Sequence, residues 1–272
     1  MTIIKNEIKR FVKENGYSHI LIHSDILFGF KITFQNHNQF LNDHYTQIRD
    51  ACQDVDVIFP TFNYDFCKGK PYNITNDPSQ VGVFSEYFRQ NKSSWRSPTP
   101  VFNFAGTGTP ISTKVANCFD PFDNSSIFGY LYNNNGLLMH YGSGFHTTTL
   151  IHFVERISGK LIYRYDKDFI GQVIDGDGKY YNTLLRYHVR PLQFPLEYDW
   201  IKLENELLTA GLIVKLQEGR TQIIVARIES IVNYWLEKLD MDPLYLLTQE
   251  TKNWVEIIYS KTNKPFALED FE

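Results

Sequence analysis

Apolar residues recur at helical spacing at the start of the chain, at Ile4, Ile8, Phe11 and Val12, and Gly16 stands where a glycine would end that helix. HILIHSD (19–25) follows, a short apolar run that breaks into polar residues. Such a run predicts a buried strand, and in open α/β sheets the carboxyl end of that strand carries a binding loop. DVDVIFPTF (54–62) repeats the pattern and stops at Pro60-Thr61. From Cys67 to Arg96 the chain is polar and turn-rich, with Pro71, Asp77-Pro78 and one helical piece near Phe84–Arg89. A loop region this long inside a compact domain is usually functional.

NGLLMHYGSG (135–144) predicts a third strand running into a glycine-rich turn. TTTLIHFVERI (147–157) then reads as a helix with a threonine N-cap and apolar residues at 150, 151, 154 and 157. Beyond Gly159 the texture changes. KLIYRY, FIGQVI and KYYNTLLRYHVR read as strands, the last two joined by DGDG, a hairpin signal. A helix near 197–210, a strand pair around GLIVKLQEGRTQIIVA and a helix from about 226 to 239 follow; Asp242-Pro243 ends the last and starts another short one. The pattern predicts an α/β fold of mixed sheets, with a parallel portion in the first half, antiparallel strands in the second half, and helices between and around them. It reads as a single domain over 1–272, with 1–160 holding the core strand–turn–helix and 161–272 completing the fold.

Composition narrows the class. The chain has 272 residues, 15% of them aromatic, which is enough for a core without disulfide or metal staples. Charged residues are 21%, so a disordered chain is excluded. A net charge of -4 without a basic cluster argues against a nucleic-acid partner. Cys52, Cys67 and Cys118 form no C-x-x-C pair, and the segment MTIIKNEIKRFVKENG has no apolar core of the kind a signal peptide needs. Without a secretory signal the sequons at Asn73, Asn91 and Asn124 carry no weight, and no stretch is apolar enough to span a bilayer. The expectation is a cytoplasmic protein without a membrane partner, a monomer or homodimer.

The chemistry concentrates in GSGFHTTTLIHFVE. Residues three apart on a helix form one stripe, so Thr149, His152 and Glu155 line up directly after the Gly142-Ser143-Gly144 turn. A carboxylate that fixes one imidazole nitrogen leaves the other free as a general base, and a threonine hydroxyl can donate to a developing oxyanion. The same spacing also fits an ordinary half-buried His–Glu pair. His23 and His140 end two strands and approach the same cleft, as core or as functional histidines. No H-E-x-x-H occurs, and no metal is expected. Ser143 invites a nucleophile reading, but Tyr141 breaks G-x-S-x-G. DGDGK (175–179) starts like a calcium loop or a P-loop and lacks the rest of either.

Four stretches together resemble the aminoglycoside 3-N-acetyltransferase family, in the family's order: LIHSD (21–25), IFPTFNYDF (58–66), NDPSQVGVFSEYFRQNKSSWRSPTP (76–100) and GLLMHYGSGFHTTTLIHFVE (136–155). The resemblance covers most of residues 1–160 and runs more thinly into 185–240. It implies transfer of an acetyl or short hydroxyacyl group from acyl-CoA to a primary amine of an amino sugar, without a metal. By position it makes His152 the general base, Glu155 its orienter and Thr149 the neighbour of the thioester or the amine. His23, Ser24, Asp25, Thr61, Phe62, Arg96 and Ser97 fall in coenzyme-side segments. Thr99 stands where the family's second motif has histidine, and Phe145-His146-Thr147 stands where an acidic residue is usual. Fewer acids suggest a less cationic acceptor, a nucleotide-linked deoxy-amino sugar for a surface polysaccharide, met by Tyr64, Phe66, Tyr72, Trp95 and His146. The alternatives are an antibiotic-acetylating enzyme, a Ser143- or His152-dependent thioester hydrolase, and a non-catalytic sugar-binding module. The transferase reading calls for a base near pKa 7 and for direct attack, because a thioester is already activated.

Overall fold

The computed structural model describes residues 2–31, 36–111 and 114–272, with side chains from Lys5 onward at the amino end, so Ile4's side chain lies outside the described residues. Among the described residues eleven strands form two sheets. In chain order they are β1 (His19–Ser24), β2 (Asp56–Pro60), β3 (Tyr72–Asn73), β4 (Trp95–Arg96), β5 (Phe104–Gly106), β6 (Cys118–Phe119), β7 (Gly136–Tyr141), β8 (Tyr165–Ile174), β9 (Tyr180–Val189), β10 (Ile213–Glu218) and β11 (Thr221–Arg227). The seven-stranded sheet has the order β10-β11-β7-β1-β2-β5-β4, and the four-stranded sheet β3-β8-β9-β6. The α-helices among the described residues are α1 (Thr2–Asn15), α2 (Ile26–Gly29), α3 (His37–Ala51), α4 (Val83–Asn91), α5 (Ile127–Asn133), α6 (Leu150–Ser158), α7 (Trp200–Thr209), α8 (Ile228–Met241), α9 (Gln249–Thr262) and α10 (Leu268–Phe271).

The centre of the large sheet is parallel: β1 pairs with β2 on one side and β7 on the other. The middle residues of these strands, Ile20–Ile22, Val57–Phe59 and Leu137–Met139, are apolar on both sides because both faces are covered. Ile20, Ile22, Val57, Phe59, Leu137 and Met139 pack with the buried side chains of α1, α3 and α4. Leu21, Ile58 and Leu138 pack on the opposite face with those of α5, α6, α7 and α8. Alternate residues thus enter different layers, as the two-residue period of a strand requires.

The parallel portion expected in the first half is the β1, β2 and β7 core, and the antiparallel strands expected in the second half are the pairs β8–β9 and β10–β11. β4 and β5, from the first half, are antiparallel, while β10 and β11 from the second half extend the first half's sheet. The long β8–β9 hairpin is antiparallel, turned at DGDG, and takes short parallel partners, β3 and β6, on either edge. Three local expectations are corrected. The helix read over 147–157 starts at Leu150, after a 3₁₀ turn at Phe145–Thr147, since the Thr147 and Thr148 hydroxyls bond back to the carbonyls of Gly144 and Phe145. KLIYRY is strand only from Tyr165; the segment before it packs side chains onto α6 instead. Asp242-Pro243 ends α8 in a turn, and the next helix is α9.

Adjacent parallel strands whose exits cross to opposite faces open a crevice at their carboxyl ends. β1 leads to α3 on one face, and β7 leads to α6 on the other. Their last residues, His23 and Ser24 beside His140 and Tyr141, are in register. Two glycines let the exits close. A Cβ on Gly29 would fall 2.4 Å from the Gly142 backbone, and Gly142 has φ +75° with Phe30 and the Asp25 carbonyl against it. Among the described residues no helix is long and apolar enough to cross a membrane.

Candidate active site

A cavity of about 450 Å³ occupies this crevice. Its floor and walls include His23, Ser24 and Asp25 after β1, Pro60, Phe62 and Tyr64 after β2, the Val81–Ser85 entry to α4, and Ser143, Thr147 and Thr149 after β7. Of the residues singled out in the sequence it gathers His23, Ser24, Asp25, Phe62, Tyr64 and Thr149. Phe28, 84% exposed, stands at its rim. His152 lies one turn beyond Thr149 on α6 and lines neither this cavity nor a second one of about 440 Å³ walled by Phe102, Asp120, Asp123, Arg156 and Arg186. The ring of Phe122 closes on it edgewise at 5.3 Å, and 23% of its side-chain surface stays accessible.

Beneath the imidazole sits Glu155, 1% exposed. Its Oε2 accepts from His152 Nδ1 at 2.8 Å, and its Oε1 accepts from the hydroxyls of Tyr163 at 3.0 Å and Tyr198 at 2.8 Å. Arg164 Nε lies 2.8 Å from Oε2 as an ion pair set off hydrogen-bond alignment. Burial would raise the Glu155 carboxyl, but Arg164 and the hydrogen bonds outweigh it and hold the group ionised. With Nδ1–H committed to Glu155, Nε2 of His152 is the proton acceptor. Burial and then the Arg164 cation pull the imidazole below its ordinary 6.5, against the opposing pull of Glu155. It is therefore uncharged at neutral pH, and below the pKa near 7 expected from the sequence.

His140 is the other buried imidazole of the crevice, stacked on His23 at 5.3 Å. Thr148 Oγ1 donates to the Phe145 carbonyl at 2.6 Å and so accepts from His140 Nε2 at 2.9 Å. The His140 Nδ1 lies 3.2 Å from the hydroxyls of both Ser143 and Thr147, which also face carbonyl acceptors, His23 at 3.1 Å and Gly144 at 2.9 Å. Ser143 thus has an imidazole partner, the geometry a hydrolase would use. Among the described residues, however, no carboxylate supports that ring, and burial drives its pKa well below 6.5, so it is a poor base.

The remaining sequence candidates are not brought to the cavity. Arg96 spends Nε, Nη1 and Nη2 on Thr61, Asn103, Ile74 and Asp77, which makes it a clamp between loops. Thr61 is fully buried and donates to Asn103 Oδ1 at 2.7 Å. Ser97 accepts from the Phe104 amide, and Tyr72 donates to the Ser97 carbonyl. Trp95 lies over Gly106 with its indole N–H on the Thr107 carbonyl, and Phe66 packs on Gly171. His146 is exposed, folded back over Gly144. Conversely, Tyr163, Arg164 and Tyr198 surround the dyad without having been singled out. Their only sequence signal is the Y-R pair of KLIYRY, masked by its reading as a strand. Among the described residues no group of three or more His, Cys, Asp or Glu side chains is arranged to hold a metal ion.

A carboxylate-held, uncharged imidazole next to a cavity at the switch point of an α/β sheet is equipment for base-assisted group transfer. The sequence model of the aminoglycoside 3-N-acetyltransferases matches residues 44–240, and the chain belongs to that family; it is an acyltransferase. Solved structures share the fold. Aminoglycoside acetyltransferase AAC(3)-IVa, as the apoenzyme, is 18% identical with a TM-score of 0.66, covering 90% of this chain and 91% of its own. The YokD protein from Bacillus subtilis is 14% identical with a TM-score of 0.66, covering 86% and 92%. AAC-IIIb, as its binary complex with CoASH, is 15% identical with a TM-score of 0.65, covering 86% and 96%. No curated protein sequence matches the chain.

Proposed function

We propose that residues 1–272 act as one catalytic unit that transfers an acetyl group from acetyl-CoA to a primary amine of an amino sugar. The observation that carries this is the 2.8 Å contact of His152 Nδ1 with Glu155, which leaves Nε2 as acceptor one turn from the cavity wall. A protonated amine cannot attack a thioester. The ammonium first loses one proton to solvent; His152 Nε2 takes a second as the amine nitrogen bonds to the thioester carbonyl carbon, the C–S bond breaks, and the thiolate leaves as thiol with that second proton. No acyl-enzyme is needed. Thr149, on the cavity wall, has a free hydroxyl orientation because it makes no capping bond, and it donates to the carbonyl oxygen as charge develops there.

The coenzyme arm enters the cavity over His23, Ser24 and Phe62. Support comes from His23 Nε2 and Ser24 Oγ, which are buried without a hydrogen-bond partner on the wall of this cavity. His23 is pushed down to about 4 by burial, so it offers a neutral partner suited to an amide of the pantetheine arm rather than to a phosphate.

For the acceptor, the family and the aminoglycoside complexes among the structural relatives favour an aminoglycoside over the nucleotide-linked amino sugar first expected. One such relative is a histidine-to-alanine mutant of AAC(3)-IVa with apramycin. A thiol-release assay with acetyl-CoA tests the reading, with apramycin and gentamicin in one arm and nucleotide-linked amino sugars in another. Release with an aminoglycoside, lowered about 10²- to 10⁴-fold by His152→Ala, is the expected result. Release only with nucleotide-linked sugars reverses the acceptor assignment, and no release with any amine removes the transferase reading.

A further inference from the structure

Glu155 is engaged from four directions, although one contact would suffice to orient an imidazole. The partner that stands out is Arg164, a guanidinium 5% exposed in the segment between α6 and β8. Its Nη1 donates to the His188 carbonyl at 3.0 Å, its Nη2 donates to the Tyr198 hydroxyl and lies 3.4 Å from His152 Nδ1, and its Nε faces Glu155 Oε2. A buried ion pair seldom stabilises a fold more than apolar side chains of the same volume would. Stability therefore does not account for a cation placed beside a base.

Charge accounts for it. A buried carboxylate alone would favour the imidazolium and leave the dyad resting with its proton already on. With Arg164 present, Glu155 is neutralised when His152 is uncharged, and protonating the ring adds a net buried charge. We propose that Arg164, braced by Tyr198, is a positioning residue of the acyl transfer: its guanidinium offsets Glu155, so the carboxylate orients His152 without holding a proton on it. This rests on His152 being the base. The groups facing the ring are Glu155 from α6, Arg164 from the segment after it, the Tyr198 hydroxyl ahead of α7, and His188 of β9, itself paired with Asp166. Phe122 faces it without charge.

The test uses Arg164→Met, which removes the charge, and Arg164→Lys, which keeps it. Two readouts are needed: the His152 imidazole titration by NMR, and the pH profile of kcat/KM by thiol release. Arg164→Met is expected to raise the imidazole titration by about one pH unit, carrying the acid limb of the profile with it. Activity then falls about three- to sixfold more at pH 6 than at pH 8, and Arg164→Lys restores most of it. An unmoved titration, with activity lost equally at every pH, makes Arg164 a structural brace and overturns the proposal. A raised titration with an unmoved kinetic limb supports the charge effect and overturns instead the role of His152 as base. If Arg164→Met does not fold, Tyr198→Phe is read the same way, with a smaller upward shift expected and an unmoved titration counting against the assignment.

Discussion

Glu155 holds its position because every lone pair it needs to share has a taker, from Tyr163, Tyr198, Arg164 and His152. Replacing it by glutamine keeps an acceptor for Nδ1–H but leaves Arg164 buried and unpaired. Glu155→Gln is expected to lower kcat/KM less than His152→Ala does, while destabilising the protein by roughly 3–5 kcal/mol in a denaturant titration. Ser143→Ala is expected to keep most of the activity, because the imidazole beside Ser143 is too weak a base to make it a nucleophile. An inactive Ser143→Ala enzyme, with covalent label on the wild-type serine, would return the hydrolase reading. In the wild type, activity rises with pH as His152 loses its proton, and its lowered pKa sets that limb below pH 6.5. An activity still at its floor at pH 6.5 would contradict the assignment of the base. At this scale the T-x-x-H-x-x-E spacing was legible because a helix makes i and i+3 neighbours. Arg164 and Tyr198 were not, since they reach the dyad from 12 and 46 residues downstream through tertiary packing.

Elements place these residues. The α6 helix starts at Leu150 because the hydroxyl-rich stretch before it satisfies its own backbone, and Gly159, at φ +62°, ends it. The exits of β1 and β7 meet at Gly29 and Gly142, where a side chain has no room. Gly142→Ala combines a positive φ with contact against Phe30 and is expected to cost about 1–3 kcal/mol. A thermal melt checks this, and activity should fall with it, because Ser143 and Thr149 lie just downstream on the cavity wall. The strands β1, β2 and β7 were legible within a residue or two, since continuous apolar runs bounded by polar turns have few other uses. The α3 helix was not, because its buried stripe of Phe40, Leu41, Ile48 and Ala51 is completed by His44, a residue that reads as polar. KLIYRY misled for the opposite reason: its apolar and aromatic residues suit a strand but are spent on packing against α6 and the carboxyl-terminal cluster of Leu244, Leu247 and Val255.

At the scale of the molecule, several imidazoles are buried uncharged. His23 and His44 are pushed down to about 4 by burial, and burial holds His140 well below its ordinary value as well. The unfolded chain takes up these protons near pH 6.5 and the folded chain does not. The stability they leave intact above pH 6.5 is therefore lost progressively as pH falls toward 4, by up to roughly 3 kcal/mol for each of His23 and His44. Denaturation midpoints measured from pH 7.5 to 4.5 should fall, and His44→Gln should flatten the slope. An equal slope in that variant would remove His44 from the account.

The sequence alone determined what depends on neighbours along the chain: the parallel strands, the β8–β9 hairpin, the helix after the glycine turn, and a His–Glu pair one turn apart on it. Tertiary structure decided the rest. It set strand order, drew β10 and β11 beside β7, turned Arg96 into a clamp, and brought Arg164 and Tyr198 to the carboxylate. The reason is physical. Periodicity encodes which side of an element is apolar, whereas the proton affinity of a buried group depends on charges and donors that only packing of distant segments can bring within a few ångströms.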